Sequence, residues 1–268
     1  MRRPLLAILV VATLACDHGR TPDSESFTWR STLAPGRSIQ IRNLNGAIEV
    51  HRGSGEQVEV TAVKRYRGAR PQEVRFVTGT DANGAVICAV WGRGNDCQRL
   101  GSSGGSRHFV WSRLFGGKGN VTVNFTVLVP PGVHVDVGTT NGAVRIDGVR
   151  GGVRASTVNG GVRIAAASGP VTASSVNGSV SASLDSLDAA APLSLTTVNG
   201  SVTAELPEGV DATLEMSTVN GRVNADFPVT VQGSVSPKRL RGTLGSGGRE
   251  IKLETVNGRV TLKRRGAA

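Results

Sequence analysis

Only one long apolar run is present in the 268 residues, and it lies at the start of the chain. No later run could cross a bilayer as a helix, which takes about 20 apolar residues. Cysteine is nearly absent. There are three residues and no Cys-x-x-Cys pair, and the four histidines at 18, 51, 108 and 134 are scattered, so no metal or redox centre is read. His-Glu-x-x-His, a phosphate-binding P-loop and the repeated Gly-Gly-x-Gly-x-Asp calcium motif are also missing. Acidic residues are outnumbered, 20 against 31 basic ones, giving a formal charge of +11. Such a balance permits acidic glycans, lipid headgroups or nucleic acid as partners and does not choose among them.

Glycine is abundant instead, at 36 residues, which demands many tight turns and argues against long helices. Residues 1–16 read MRRPLLAILVVATLAC, two arginines ahead of an apolar stretch that ends in a small residue and a cysteine. This is the pattern of a secretory signal peptide over residues 1–15, followed by a polar tether over 16–26. The ending Thr13-Leu14-Ala15-Cys16 resembles a bacterial lipobox, which implies lipidation of Cys16. The alternative is a simple signal peptide with a cysteine beside its cleavage site. Export to an oxidising compartment predicts a disulfide between Cys88 and Cys97, a short loop closure worth about 2 to 3 kcal/mol.

Asn-Gly occurs eight times, and seven copies share one frame: an apolar-polar-apolar triplet, six residues containing Asn-Gly, and a second triplet. The copies begin at Ile39, Val135, Val153, Val171, Leu193, Leu214 and Ile251, as in VRA-STVNGG-VRI from Val153. From Val135 to Val180 triplets begin every nine residues, so the full period is eighteen. Insertions before Leu193 and Leu214 fall at the turns without Asn-Gly, where added length costs little.

Asn-Gly between alternating strands is a strong hairpin signal, so a hairpin sheet or sandwich is one reading. The other is a β-solenoid in which each coil contributes two strands and equivalent residues stack about 4.8 Å apart. The solenoid is preferred, because a stacked coil must keep its circumference through different turn sequences and a meander has no reason to. The fold class is therefore all-β, a solenoid of about 18 residues per coil over residues 135–263, with a basic tail at 264–268. Asn141, Asn159, Asn177, Asn199, Asn220 and Asn257 are expected to form a structural ladder, each following glycine taking the left-handed conformation at the corner. Residues 27–134 read as a β-rich N-terminal part, interrupted by an irregular Gly/Ser-rich loop over 92–120.

The lipobox-like start, IRNLNGAIEV, VNFTVLVPPGVHVDVGTTNGAV, the run of TVNG copies and the closing LRGTLGSGGREIKLETVNGRVTL together resemble the adhesin-like proteins of bacterial envelopes. These are domain-of-unknown-function relatives of the auto-transporter adhesin head, or GIN, domain. The resemblance covers about residues 27–263 and implies a right-handed single-stranded β-helix and a non-enzymatic surface protein without cofactors.

Carboxylates able to carry glycan chemistry do not converge. Asp147, Asp185, Asp188, Asp211 and Asp226 fall mainly at turns and insertions, and Asp185 with Asp188 offers at most a minor cation site. Binding candidates are Trp91, Arg107, Phe109, Trp111 and Arg113, where aromatic plates lie among cations, and Arg145 with Arg163, eighteen apart on one outer face. The aromatic stretch reads equally as a cover over an end of the solenoid. The function expected is a lipid-anchored, non-enzymatic envelope protein facing the periplasm or cell surface, binding anionic glycans or envelope partners. The alternative is a structural or signalling lipoprotein acting through protein contacts or self-association. Specific nucleic-acid binding is disfavoured by export.

Overall fold

Exposure alternates strictly along residues 153–157, with Val153, Ala155 and Thr157 buried and Arg154 and Ser156 exposed. A two-residue period of small and β-branched side chains favours a pleated strand covered on one face. The computed structural model describes residues 24–66, 74–91, 121–185, 191–231 and 236–265, which form strands and turns and no helix.

The N-terminal strands are β1 (Ser24–Thr32), β2 (Ser38–Arg42), β3 (Ile48–Arg52), β4 (Gln57–Tyr66), β5 (Val74–Asp81), β6 (Gly84–Trp91) and β7 (Val121–Val129). The repeats then supply β8 (His134–Asn141), β9 (Val144–Asp147), β10 (Val153–Asn159), β11 (Val162–Ala167), β12 (Val171–Asn177), β13 (Val180–Leu184), β14 (Leu193–Asn199) and β15 (Val202–Leu206). The C-terminal strands are β16 (Ala212–Asn220), β17 (Val223–Ala225), β18 (Thr230–Val231), β19 (Arg239–Leu244), β20 (Arg249–Asn257) and β21 (Val260–Arg264).

Two long sheets result. One runs β1-β4-β7-β3-β9-β11-β13-β15-β21-β17 and the other β18-β19-β16-β20-β14-β12-β10-β8-β2-β6-β5. Each repeat copy places its first strand in the second sheet and its second strand in the first, and successive copies pair in parallel. Val153 thus lies in register with Val135 and with Val171, and Val162 with Val144 and Val180. This is a β-solenoid flattened to two faces.

Spatial order departs from chain order at two places. The Ile39 copy stacks directly on the Val135 copy, with Ile39 beside Val135 and Ile48 beside Val144. A boundary at residue 134 is therefore not a structural one, and residues 39–50 belong to the stack. The Ile251 copy lies between the Leu193 and Leu214 copies, Ile251 pairing with both Leu193 and Leu214. Any copy with the same frame presents the same pattern of backbone donors and acceptors at its edges, so the frame alone does not set the order.

Antiparallel strands close both ends. β4 joins β1 to β7 at one end, and β19 joins β18 to β16 at the other. β5 and β6 form an antiparallel pair whose two-residue connection is Ala82–Asn83. Gly84, with φ of +143°, follows that connection, so the Asn-Gly that lies outside the repeat frame takes the hairpin role. The two sheets are clamped at this end by aromatics. Phe76 of β5 stacks on Phe27 of β1 with centroids 4.6 Å apart and meets Phe125 of β7 edge-on at 6.0 Å. Lys64 is buried over Phe76, donates to the Val74 carbonyl at 2.9 Å and pairs with Glu25 at 2.8 Å.

Between the faces runs one apolar core from Ile39 and Val60 to Leu253 and Leu262. Each fully buried Val, Leu or Ile contributes about 1.5 to 3 kcal/mol. The small residues Ala155, Ala173, Ala182 and Ala204 keep it narrow.

Candidate functional site

The Asn-Gly corner carries three parallel rows of contacts. In the first, Asn141 donates its side-chain amide to Asn45 at 2.7 Å, Asn159 to Asn141 at 2.8 Å, Asn177 to Asn159 at 3.0 Å and Asn199 to Asn177 at 2.9 Å. The row continues out of chain order, with Asn257 donating to Asn199 and Asn220 to Asn257, each at 2.8 Å. Every amide points the same way, so the row is a directional chain of seven asparagines.

The second row is buried. Thr157 donates its hydroxyl to the Gly142 carbonyl at 2.9 Å, Ser175 to Gly160 and Thr197 to Gly178 at 2.8 Å each, Thr255 to Gly200 at 2.9 Å and Thr218 to Gly258 at 3.0 Å. In the first copy Asn43 fills the equivalent position and donates to the Val123 carbonyl at 2.8 Å.

The third row is the glycines. Gly142, Gly160, Gly178, Gly200 and Gly221 do not have positive φ, which corrects the expected left-handed corner in those copies, while Gly258, after Asn257, has φ of +156°. Their requirement is space: a methyl on Gly178 would overlap the Gly160 carbonyl oxygen of the neighbouring coil, and the same overlap recurs along the stack. Glycine is needed here for close backbone approach.

Beside these rows an apolar stripe faces outward. Val176, Val198, Val256 and Val219 are 38 to 57% exposed. The motif Thr-Val-Asn-Gly thus divides its labour: Thr seals a carbonyl, Asn links coils at the surface, Gly lets backbones meet and Val is left outside. Repetition of the motif was the signal for the asparagines. The hydroxyl row shares that repetition, but which residue turns inward depends on how the corner bends.

The outer faces hold the charged candidates. Arg145 and Arg163 lie side by side on neighbouring strands, and Arg145 pairs with Glu49 at 3.2 Å. Arg154 lies on the other face beside Asp136, whose carboxylate is paired with Arg42 at 2.8 Å. At the C-terminal end Arg241 and Arg239 both reach Glu215, and the hydrogen bond from Arg241 holds that carboxyl below its ordinary range. The Ser246 backbone N–H does the same for Asp211. Glu208, Asp211 and Arg264 rim a cleft of about 340 Å³ floored by Val210, Phe227 and Leu244, a feature that no sequence motif announces.

Trp91 is not a binding plate. It is 6% exposed and packs in the core opposite Val74, because it shares the inward face of β6 with Ile87 and Ala89. Cys88 is buried on the outer side of β6, packed with Val90, Val77 and Val86. Its expected partner Cys97 lies outside the described residues, as do Cys16, Arg107, Phe109, Trp111 and Arg113. Asp185 is paired with Arg265, and Asp188 is outside the described residues. Among the described residues no three His, Cys, Asp or Glu side chains gather as a metal site.

The Toastrack DUF4097 sequence profile matches residues 115–263, more than half of the chain. The chain belongs to the Toastrack DUF4097 family. Its match includes the repeat copies from Val135 to Ile251, while the Ile39 copy, which the structure adds to the same stack, precedes it. No curated protein matches the chain. Among solved structures, the Toastrack chain is similar to a candidate cell adhesion protein of Clostridium sporogenes, at 11% identity and a TM-score of 0.46 over 90% of this chain and 100% of the other. A candidate adhesin of Bacteroides fragilis is 12% identical with a TM-score of 0.27, covering 90% of this chain and 97% of its own. A candidate adhesin of Parabacteroides merdae is 8% identical with a TM-score of 0.26 and the same coverage.

Proposed function

We propose that this Toastrack protein is a non-enzymatic, lipid-anchored display scaffold of the bacterial envelope that binds extended anionic glycans or envelope partners through its outer sheet faces. The observation that carries the reading is the division of roles within each coil. Inward positions stay apolar, and corner positions keep Asn and Gly, with Thr or Ser ahead of them in every copy but the first, where Asn43 stands. Outward positions change freely, from Asp136 through Arg154, Thr172 and Ser194 to Lys252 along one row. A scaffold that holds its interior and varies its face is suited to recognition, and the paired guanidinium groups of Arg145 and Arg163 suit sulfate, phosphate or carboxylate.

The proposal keeps export through residues 1–15, lipidation of Cys16, a Cys88–Cys97 disulfide and a right-handed coil of about 18 residues. It also keeps the arginine and aromatic stretch of Arg107, Phe109, Trp111 and Arg113 as a second contact region. The alternative, a structural or signalling lipoprotein acting through protein contacts or self-association, draws support from the long edge of β1.

Retention of the purified protein on immobilised sulfated and carboxylated envelope glycans tests the main reading. Retention at physiological salt that is lost in an Arg145→Ala, Arg163→Ala double variant is the expected result. Retention confined to low salt, or indifferent to both substitutions, marks general electrostatics and removes the glycan reading.

A further inference from the structure

The two ends of the solenoid are finished differently. At one end the outermost strands are β17, with three residues, and β18, with two. Short terminal strands offer a partner few backbone groups, a common protection against edge pairing. At the other end β1 is nine residues long, and all nine are in register with β4, from Ser24 opposite Arg65 to Thr32 opposite Gln57. Among the described residues β1 has a neighbour on one side only. It contains no proline, no lysine and no bulge, and its one inward charge, Glu25, is neutralised by Lys64 at 2.8 Å, so most of the devices that usually blunt such an edge are missing. Phe27 and Trp29, on its inward side, remain half-buried because the core ends there.

We infer that β1 is a homodimerisation edge, pairing antiparallel with β1 of a second copy about a two-fold axis at Thr28. The strand Ser24–Thr32 is centred on Thr28, so that register uses its whole length. Residues facing each other then share a face, as a continuous sheet requires. Phe27 of each copy meets Trp29 of the other, twice, which covers the aromatic surface the single chain leaves open and adds a favoured cross-strand pair. Ser26 meets Arg30, Ser24 meets Thr32 and Glu25 meets Ser31, with no like charges opposed. A registry one residue away would set inward side chains against outward ones. The first sheet of each copy continues into that of its partner, and an isologous contact of this kind closes after two subunits.

Thr28 is exposed on the outer face, so its substitution leaves the core of each copy alone, and at the axis it opposes its own counterpart at about 5 Å between Cβ atoms. Sedimentation of the purified full chain across a concentration series is expected to show a reversible monomer–dimer equilibrium. Thr28→Lys and Thr28→Glu are each expected to raise the dimer dissociation constant about tenfold through like charges at the axis. An equimolar mixture of the two variants is expected to recover the dimer, which also shows that both are folded. A monomer at every concentration overturns the inference, as does a dimer unaffected by either variant or a loss that mixing does not repair. A monomer that floats with lipid vesicles and is released by Trp29→Ala overturns it in favour of a membrane-facing edge.

Discussion

Asn257 donates its side-chain amide to Asn199 at 2.8 Å, across 58 residues of sequence, and accepts one from Asn220. That pair of bonds inserts the last repeat copy between two earlier ones. The chain runs past its own stack with β16 and β17 and returns to fill the gap with β20 and β21, so the penultimate coil depends on residues made after it. The second edge of β14, already paired with β12 on its first, therefore has to wait for β20, a non-local step of the kind that slows folding.

Removing a link from the middle of the amide row is expected to cost more than removing its end. Asn177→Ala deletes two side-chain bonds and Asn220→Ala one. At about 0.5 to 1.5 kcal/mol per bond, and toward the lower value because the row is exposed, the difference is about 0.5 to 1 kcal/mol. Urea unfolding of the two variants measures it, and equal losses would deny the row any part in stability.

Two glycine substitutions separate close approach from backbone conformation. Gly178→Ala drives a methyl into the Gly160 carbonyl and is expected to cost about 3 kcal/mol or more, or to prevent folding. Gly209 has φ of +72° with nothing near its missing Cβ, so Gly209→Ala carries only the left-handed strain of about 1 to 2 kcal/mol. Thermal melting monitored by circular dichroism ranks them, and the reverse ranking would refute the packing account.

Thr157→Val keeps volume but leaves the Gly142 carbonyl without the buried hydroxyl that reaches it at 2.9 Å. The expected loss is about 1 to 3 kcal/mol. Thr157→Ser should restore most of it, since Ser175 makes the same bond to Gly160. Parallel denaturation curves for the two variants test this, and a Val variant as stable as the Ser variant would show that the carbonyl needs no partner.

Acid is expected to loosen the C-terminal cap first. Arg241 beside Glu215 and the Ser246 N–H at Asp211 favour the ionised carboxyls, lowering both below their ordinary values of 4.5 and 3.8. The folded chain then binds fewer protons than the unfolded one, so the contribution is complete above pH 4.5 and disappears as pH falls through the folded values. Hydrogen exchange at β19 between pH 6 and 3, compared with a Glu215→Gln variant, measures the effect. Protection in the variant should depend less on pH, and identical profiles would remove Glu215 from the account.

The period of the repeats was readable because alternation along a strand and recurrence every eighteen residues are local properties of the chain. Inward positions such as Val153, Ala155 and Ile164 followed from it, as did the equivalence of the asparagines. Tertiary structure decided the rest. It placed the Ile39 copy beside the Val135 copy and the Ile251 copy beside the Leu193 copy, since parallel edges with the same frame are interchangeable in sequence and only the caps and connections select the order. It assigned Gly178 to close packing, because φ and the distance to a neighbouring coil are not written in the dipeptide Asn-Gly. It also buried Trp91, whose aromatic side chain reads as a surface plate until β6 is seen to turn it inward with Ile87 and Ala89. Local periodicity specifies what each residue faces within its own coil, and only the assembled stack specifies what lies across the gap.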